Sequence, residues 1–135
     1  MDATALQATF DRLAADYVKR LLLRIETVAP GEVTLTMPVL PELVHGGGVL
    51  CGQAILAAAD TAMLLAMIAQ LGEFRPMTTV QLQTSFVRPV GKEIAHVVVI
   101  ARLRRPGRSL SYGDVEFQTP DGRLAAHATS TYALL

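Results

Sequence analysis

Residues Val49 to Leu71 read Val-Leu-Cys-Gly-Gln-Ala-Ile-Leu-Ala-Ala-Ala-Asp-Thr-Ala-Met-Leu-Leu-Ala-Met-Ile-Ala-Gln-Leu, and the rest of the chain is organised around them. Strong helix formers fill the stretch, proline is missing and the one glycine, Gly52, lies near its start, so propensity and length predict a helix of about six turns. Apolar residues run all the way round that helix, the pattern of a helix enclosed by the rest of a protein. Its alanines let a sheet approach the helix backbone closely. One carboxylate, Asp60, interrupts the run near its middle. An acid in apolar surroundings is costly unless paired or hydrogen-bonded, so Asp60 is either a capped, half-exposed side chain or a functional one. The stretch is also long enough to span a bilayer. Against that stand Asp60 at its centre, a cost of about 2.5 to 3.5 kcal/mol on insertion, and the strand-like segments on both sides, so no membrane partner is expected.

The chain has 135 residues, 51% of them hydrophobic and 18% charged, which predicts one globular domain over residues 1–135 and excludes a disordered chain. Twelve basic and twelve acidic residues cancel, and the few aromatics are not interleaved with basic residues, so nucleic acid is set aside. The single Cys51 forms no internal disulfide, and Met1-Asp2-Ala3-Thr4 lacks the basic start and apolar run of a signal peptide, so a cytoplasmic location is expected. Cys51 as a nucleophile would need a basic partner, and His45 lies six residues away.

Outward from the central stretch, spacings of three and four at Leu6, Phe10, Leu13, Ala14, Tyr17, Val18 and Leu21 predict an amphipathic helix within Ala5 to Leu23, capped by Thr4 and ending near Tyr17 to Arg20. Leu21 to Val28 and Glu32 to Met37, joined by Pro30-Gly31, predict a hairpin. Pro41 to Gly48 reads as a connecting loop that ends in three glycines. Beyond Gly72 come strands over Thr78 to Val87, Glu93 to Leu103, Ser109 to Thr119 and Arg123 to Leu134. The connections are short, so the strands are expected to be antiparallel neighbours in one sheet wrapped around the helix, an α+β arrangement.

A glycine-rich turn entering a helix offers backbone N–H groups to an oxyanion, though the same glycines serve ordinary loops. Gly46-Gly47-Gly48 followed by Gly52 fits that device, while no Gly-Lys-Ser/Thr follows as a phosphate-binding loop requires. Gly52 and Asp60 are eight residues apart, or about 12 Å along one helix. That is too far for both to act on one carbonyl, so joint action requires two subunits.

Leu-Ala-Ala-Ala-Asp-Thr-Ala at 56–62, Thr-Val-Gln-Leu-Gln-Thr-Ser-Phe-Val-Arg-Pro at 79–89, the Gly107-Arg108 turn and the closing His-Ala-Thr-Ser-Thr-Tyr at 127–132 stand in this order along the chain. With Asp60 on the central helix, they make the sequence resemble the hotdog-fold acyl-CoA thioesterases of the PaaI-like (phenylacetic acid degradation) group, from about residue 15 to 134. That group carries Asn-x-x-Gly-x-x-His-Gly-Gly with an acid nine residues after the histidine. The register that keeps Asp60 places the family's histidine at Cys51, its two glycines at Gly52 and Gln53, its loop glycine at Gly48 and its asparagine at His45.

The resemblance implies that Asp60 is nucleophile or general base toward a thioester carbonyl, that the Gly52 N–H of the other subunit polarises that carbonyl, and that Thr79, or its neighbour Thr78, helps place a water. It puts His45, Gly48, Cys51 and Gln53 along the substrate, with two departures, since Cys51 has no imidazole and His45 replaces an amide. His45 could act as donor or acid in its place. Arg108, and less so Arg88, Arg104 and Arg105, are candidates for the phosphates of coenzyme A. His96 and His127 read as structural, and no ligand-spaced cluster predicts a metal or a separate cofactor. The expected protein is a homodimer or dimer of dimers hydrolysing an acyl-CoA. The second reading is a non-catalytic acyl-CoA-binding module on the same fold.

Overall fold

The computed structural model describes residues 1–135. Its elements are α1 (Ala3–Leu13), α2 (Asp16–Lys19), β1 (Arg24–Ala29), β2 (Glu32–Pro38), a 3-10 turn (Pro41–Leu43), α3 (Gly52–Leu71), β3 (Met77–Phe86), β4 (His96–Arg105), β5 (Leu110–Gln118) and β6 (Leu124–Leu134). All six strands form one antiparallel sheet in the order β1-β2-β4-β5-β6-β3.

α3 is the predicted central helix. It starts at Gly52 and ends where Gly72, at φ 78°, takes the left-handed conformation and returns its N–H to the Ile68 carbonyl. By length and composition it could cross a membrane. It is instead the core helix, wrapped by the alternating inward side chains of the sheet: Val33, Leu35 and Met37 of β2, Val97, Val99 and Ala101 of β4, Val115 and Phe117 of β5, and Ala126 and Ala128 of β6. Each large side chain enclosed here is worth about 1.5 to 3 kcal/mol, which offsets the absence of any side-chain cap at the start of α3.

The structure corrects the sequence reading at four places. The single N-terminal helix is two, because Ala14 (ψ 145°) and Ala15 (ψ 150°) are extended. Asp2, and not Thr4, caps α1, its Oδ1 accepting the Ala5 N–H at 2.8 Å. β1 starts at Arg24, since Leu22 takes φ 57°, a left-handed conformation that strand backbone does not adopt. Finally, β3 and β4 are not neighbours: after β3 the chain crosses the sheet, so that β3 pairs with β6 and β4 with β2 and β5.

The two sheet edges are treated differently. At β1, the Gln7 side chain of α1 acts as a strand substitute, accepting the Ile25 N–H at 2.9 Å and donating to the Leu23 carbonyl at 3.4 Å. At β3 nothing in the chain covers the edge, and Val80 (58%) and Phe86 (54%) are exposed on it.

Gly113 on β5 lets the sheet sit close against α3: a Cβ there would run into the Arg102 carbonyl and the Met63 thioether. Gly113→Ala is therefore expected to destabilise the fold by about 1 to 3 kcal/mol, read as a drop in the thermal unfolding midpoint. An unchanged midpoint would show that the helix does not rest on this strand.

Candidate active site

The start of α3 is an uncompensated helix end. Cys51 occupies the N-cap without a side-chain hydrogen bond, and no acid lies in the first turn. Gly52 is the first helical residue, so its N–H has no partner within the helix. The preceding loop is a fixed turn. The Gly48 N–H donates to the His45 carbonyl at 2.9 Å, with Gly48 at φ 81°, a conformation that favours glycine. The Gly47 N–H donates to His45 Nδ1 at 2.9 Å, so Nδ1 is the ring's acceptor and Nε2, in an exposed side chain, is left as donor. His45, Gly52, Ile55 and residues 86–90 line a cavity of about 330 Å³. A Cβ on Gly52 would lie 3.3 Å from the Phe86 ring, so glycine keeps this passage open. Cys51 is half-buried against the core, and Gln53 is exposed.

Two turns further along, Asp60 is half-buried and held by two hydroxyls. Thr79 Oγ1 donates to Asp60 Oδ1 at 2.7 Å, and the Tyr132 hydroxyl donates to the same oxygen at 2.6 Å and lies 2.9 Å from the Asp60 carbonyl. Thr79 and Tyr132 face each other across the β3–β6 pair. The register slips just after Thr79, leaving Val80 unpaired, a bulge of the kind that re-aims side chains beside functional sites. Asp60, Thr61, Leu64 and Tyr132, with Phe10, Leu13, Ala14, Ala15 and Val18 from α1, α2 and the break between them, line a cavity of about 220 Å³ whose walls are mainly apolar.

Within one chain, then, the residues singled out in the sequence form two groups. Gly52, His45 and Gly48 lie at the start of α3, Asp60 and Thr79 lie at its middle, and the two cavities share no lining residue. Thr78 is exposed and alternates away from Thr79, so of the two threonines only Thr79 reaches the acid. Arg108 is exposed on the β4–β5 turn and lines neither cavity. Arg104 is engaged elsewhere, donating to Asp114 at 2.8 Å, and His127 contacts the same carboxylate at 3.1 Å. Burial opposes the charge on Asp114, but the hydrogen bonds from Arg104 and His127 outweigh it and lower the pKa of this carboxyl. Tyr132 stands in the closing stretch that carries the resemblance but was not named there as a site residue. Its signal is present there: Ala128, Ser130 and Tyr132 alternate inward, and a buried phenol needs a partner for its hydroxyl.

Residues 47–126 match the family model of the thioesterase superfamily. The chain belongs to that family. A protein of Thermoplasma volcanium named as a presumed esterase is 27% identical to this thioesterase over 118 residues, covering 87% of this chain and 86% of its own length. A thioesterase family protein from Silicibacter pomeroyi has a solved structure that superposes with a TM-score of 0.84 at 27% identity, over 96% of this chain and 95% of that one. The PaaI protein of the E. coli phenylacetic acid degradation operon superposes with a TM-score of 0.85 over 98% and 93% of the two chains, and at 20% identity shows the fold alone. The sheet wrapped on one helix is the hotdog fold, and the thioesterase is a hydrolase. Both α1–α2 and Tyr132 lie outside the residues matched to the family.

Burial, and then the hydrogen bond to Asp60, raise the Tyr132 pKa. Because the folded state favours the neutral phenol, this contribution to stability is fully present below pH of about 10, the ordinary tyrosine value, and is lost as pH rises above it. The thermal midpoint is expected to fall above that pH, and Tyr132→Phe to remove part of the fall. A variant whose alkaline profile parallels the wild type would refute the assignment.

Proposed function

We propose that this thioesterase hydrolyses acyl-CoA thioesters, with Asp60 of one subunit and Gly52 of another completing each site. The observation that carries the reading is the Asp60 carboxylate, set in an otherwise apolar helix, oriented by two hydroxyl donors and opening on an apolar cavity. That lining suits an uncharged acyl or aryl-acyl group. The coenzyme A portion is part of the substrate, and no separate cofactor takes part.

The open β3 edge supports pairing with a second copy along β3, giving a homodimer able to associate further. In that dimer the partner subunit's Gly52 N–H, at the positive end of its helix, meets the thioester oxygen as negative charge develops there. The Asp60 carboxylate either attacks the carbonyl carbon, with water later cleaving the acyl-enzyme, or takes a proton from a water that attacks directly, with Thr79 helping to place it. Both routes break the carbon–sulfur bond, and the leaving thiolate takes up a proton. One water is consumed and the free acid and coenzyme A are released. Gly48, Cys51, Gln53 and the exposed His45 Nε2–H flank the thioester end and the arm of the substrate. Thr78 lies at the β3 rim, and Arg108 takes a phosphate of the nucleotide end.

Asp60→Asn is expected to abolish thiol release from an acyl-CoA panel while the oligomer stays intact. Full turnover would remove Asp60 from the chemistry, and thermal stabilisation by acyl-CoA without thiol release in the wild type would mark a binding module. Gly52→Pro deletes the N–H at a position that suits proline, Cys51 at φ −70° and ψ 148° already having extended backbone, and Gly52→Ala, which keeps the N–H and adds the same Cβ 3.3 Å from the Phe86 ring, is its control. Gly52→Pro is expected to lower kcat by about 100- to 1,000-fold. Chains carrying Asp60→Asn and Gly52→Pro, when co-expressed, are expected to recover about a quarter of wild-type activity, because half the dimers are mixed and each has one intact site. No recovery would place both residues' action within one chain.

A further inference from the structure

The hydroxyls that reach Asp60 do not share its two oxygens. Thr79 Oγ1 at 2.7 Å and Tyr132 Oη at 2.6 Å both reach Oδ1, and no hydrogen bond within the chain reaches Oδ2. The phenol also stands 2.9 Å from the Asp60 backbone carbonyl, so it lies between the carbonyl and the carboxylate of one residue. A hydroxyl has a single proton to donate, and the charged acceptor takes it in preference to the neutral carbonyl. The donors come from opposed positions on paired strands: Tyr132 is matched with Thr79 on β3 and with Ser111 on β5. Each is therefore fixed by the sheet and not by the helix that carries the acid.

We propose that Tyr132 is a positioning residue for the hydrolysis: with Thr79 it pins Oδ1 of Asp60, a residue that lines the cavity beside α1 and α2, so that Oδ2, which no group of the chain holds, is the oxygen that reacts. The inference rests on the reading of Asp60 given above and extends it to a residue outside the family match. A carboxylate on a helix has two soft side-chain torsions. Left with one donor or none it samples rotamers in which neither oxygen is aligned with the carbonyl carbon or the attacking water, and the loss falls on the chemical step more than on binding.

The test is the steady-state kinetics of Tyr132→Phe, which removes one oxygen atom and keeps the ring in the core. Thr79→Val and Thr79→Ser are run in parallel, with Asp60→Asn as control, all against one acyl-CoA. The expected result for Tyr132→Phe is a kcat lowered about 10- to 100-fold with KM within about twofold of wild type. Thr79→Val is expected to behave likewise, Thr79→Ser to restore kcat, and Tyr132→Phe with Thr79→Val to fall further than the product of the two single effects. Wild-type kcat in Tyr132→Phe, or an effect confined to KM, overturns the proposal. If that variant does not fold, the threonine pair decides, since wild-type kcat in Thr79→Val breaks the same two-donor lock. Activity in Asp60→Asn would instead overturn the reading of Asp60 itself, so the two failures are distinguishable.

Discussion

A carboxylate in the middle of a buried helix is the constraint to which the rest of the molecule answers. Leaving such a group without donors costs at least about 1 to 3 kcal/mol, a sizeable part of a domain's stability. The chain meets the requirement with two neutral hydroxyls, from Thr79 and Tyr132, and with no ion pair. Both hydroxyls must arrive from the sheet, side by side and on its inner face. Thr79 and Tyr132 do so only because β3 lies next to β6, so the polar contact and the strand order are one requirement seen at two scales.

That strand order has a second consequence. Sending β3 to the far side of β6 makes it an edge, and the chain protects only the other edge, where Gln7 supplies both a donor and an acceptor to β1. The strand that presents Thr79 to the acid is thus also the strand whose outer hydrogen bonds are unused within the chain. The start of α3, with its unpaired N–H groups, lies too far from Asp60 along the same rigid helix to serve it. An unprotected edge beside the acid and a helix start well separated from it on the same rod are the two features on which the proposed pairing of subunits rests.

The outer face of the sheet shows the contrast. There Asp114 is ion-paired with Arg104 at 2.8 Å and lies within hydrogen-bond distance of His127 at 3.1 Å, a partly exposed cluster of modest energetic weight. Asp60 sits on the inner face among apolar side chains and is left uncompensated by charge. The same residue type has been given two environments, one held by charged or titratable partners on the outer face and one by two hydroxyls on the inner face.

Read alone, the chain of amino acids determined α3 and its isolated acid, the glycine turn before it, and the existence and approximate limits of six strands. These follow from propensity, periodicity and turn chemistry, which act between residues a few positions apart. The break at Ala14–Ala15 and the left-handed Leu22 were not legible, because alanine and leucine carry no local signal for them, and Asp2 and Thr4 offered two competent caps between which local sequence does not choose. Nor was the placement of β3 beside β6, or the arrival of Tyr132 at Asp60. Those depend on pairing between segments about fifty residues apart, whose register is settled by which side chains the closed core can bury. Sequence named the acid and, through the resemblance, Thr79; tertiary structure alone brought Tyr132 to the same oxygen.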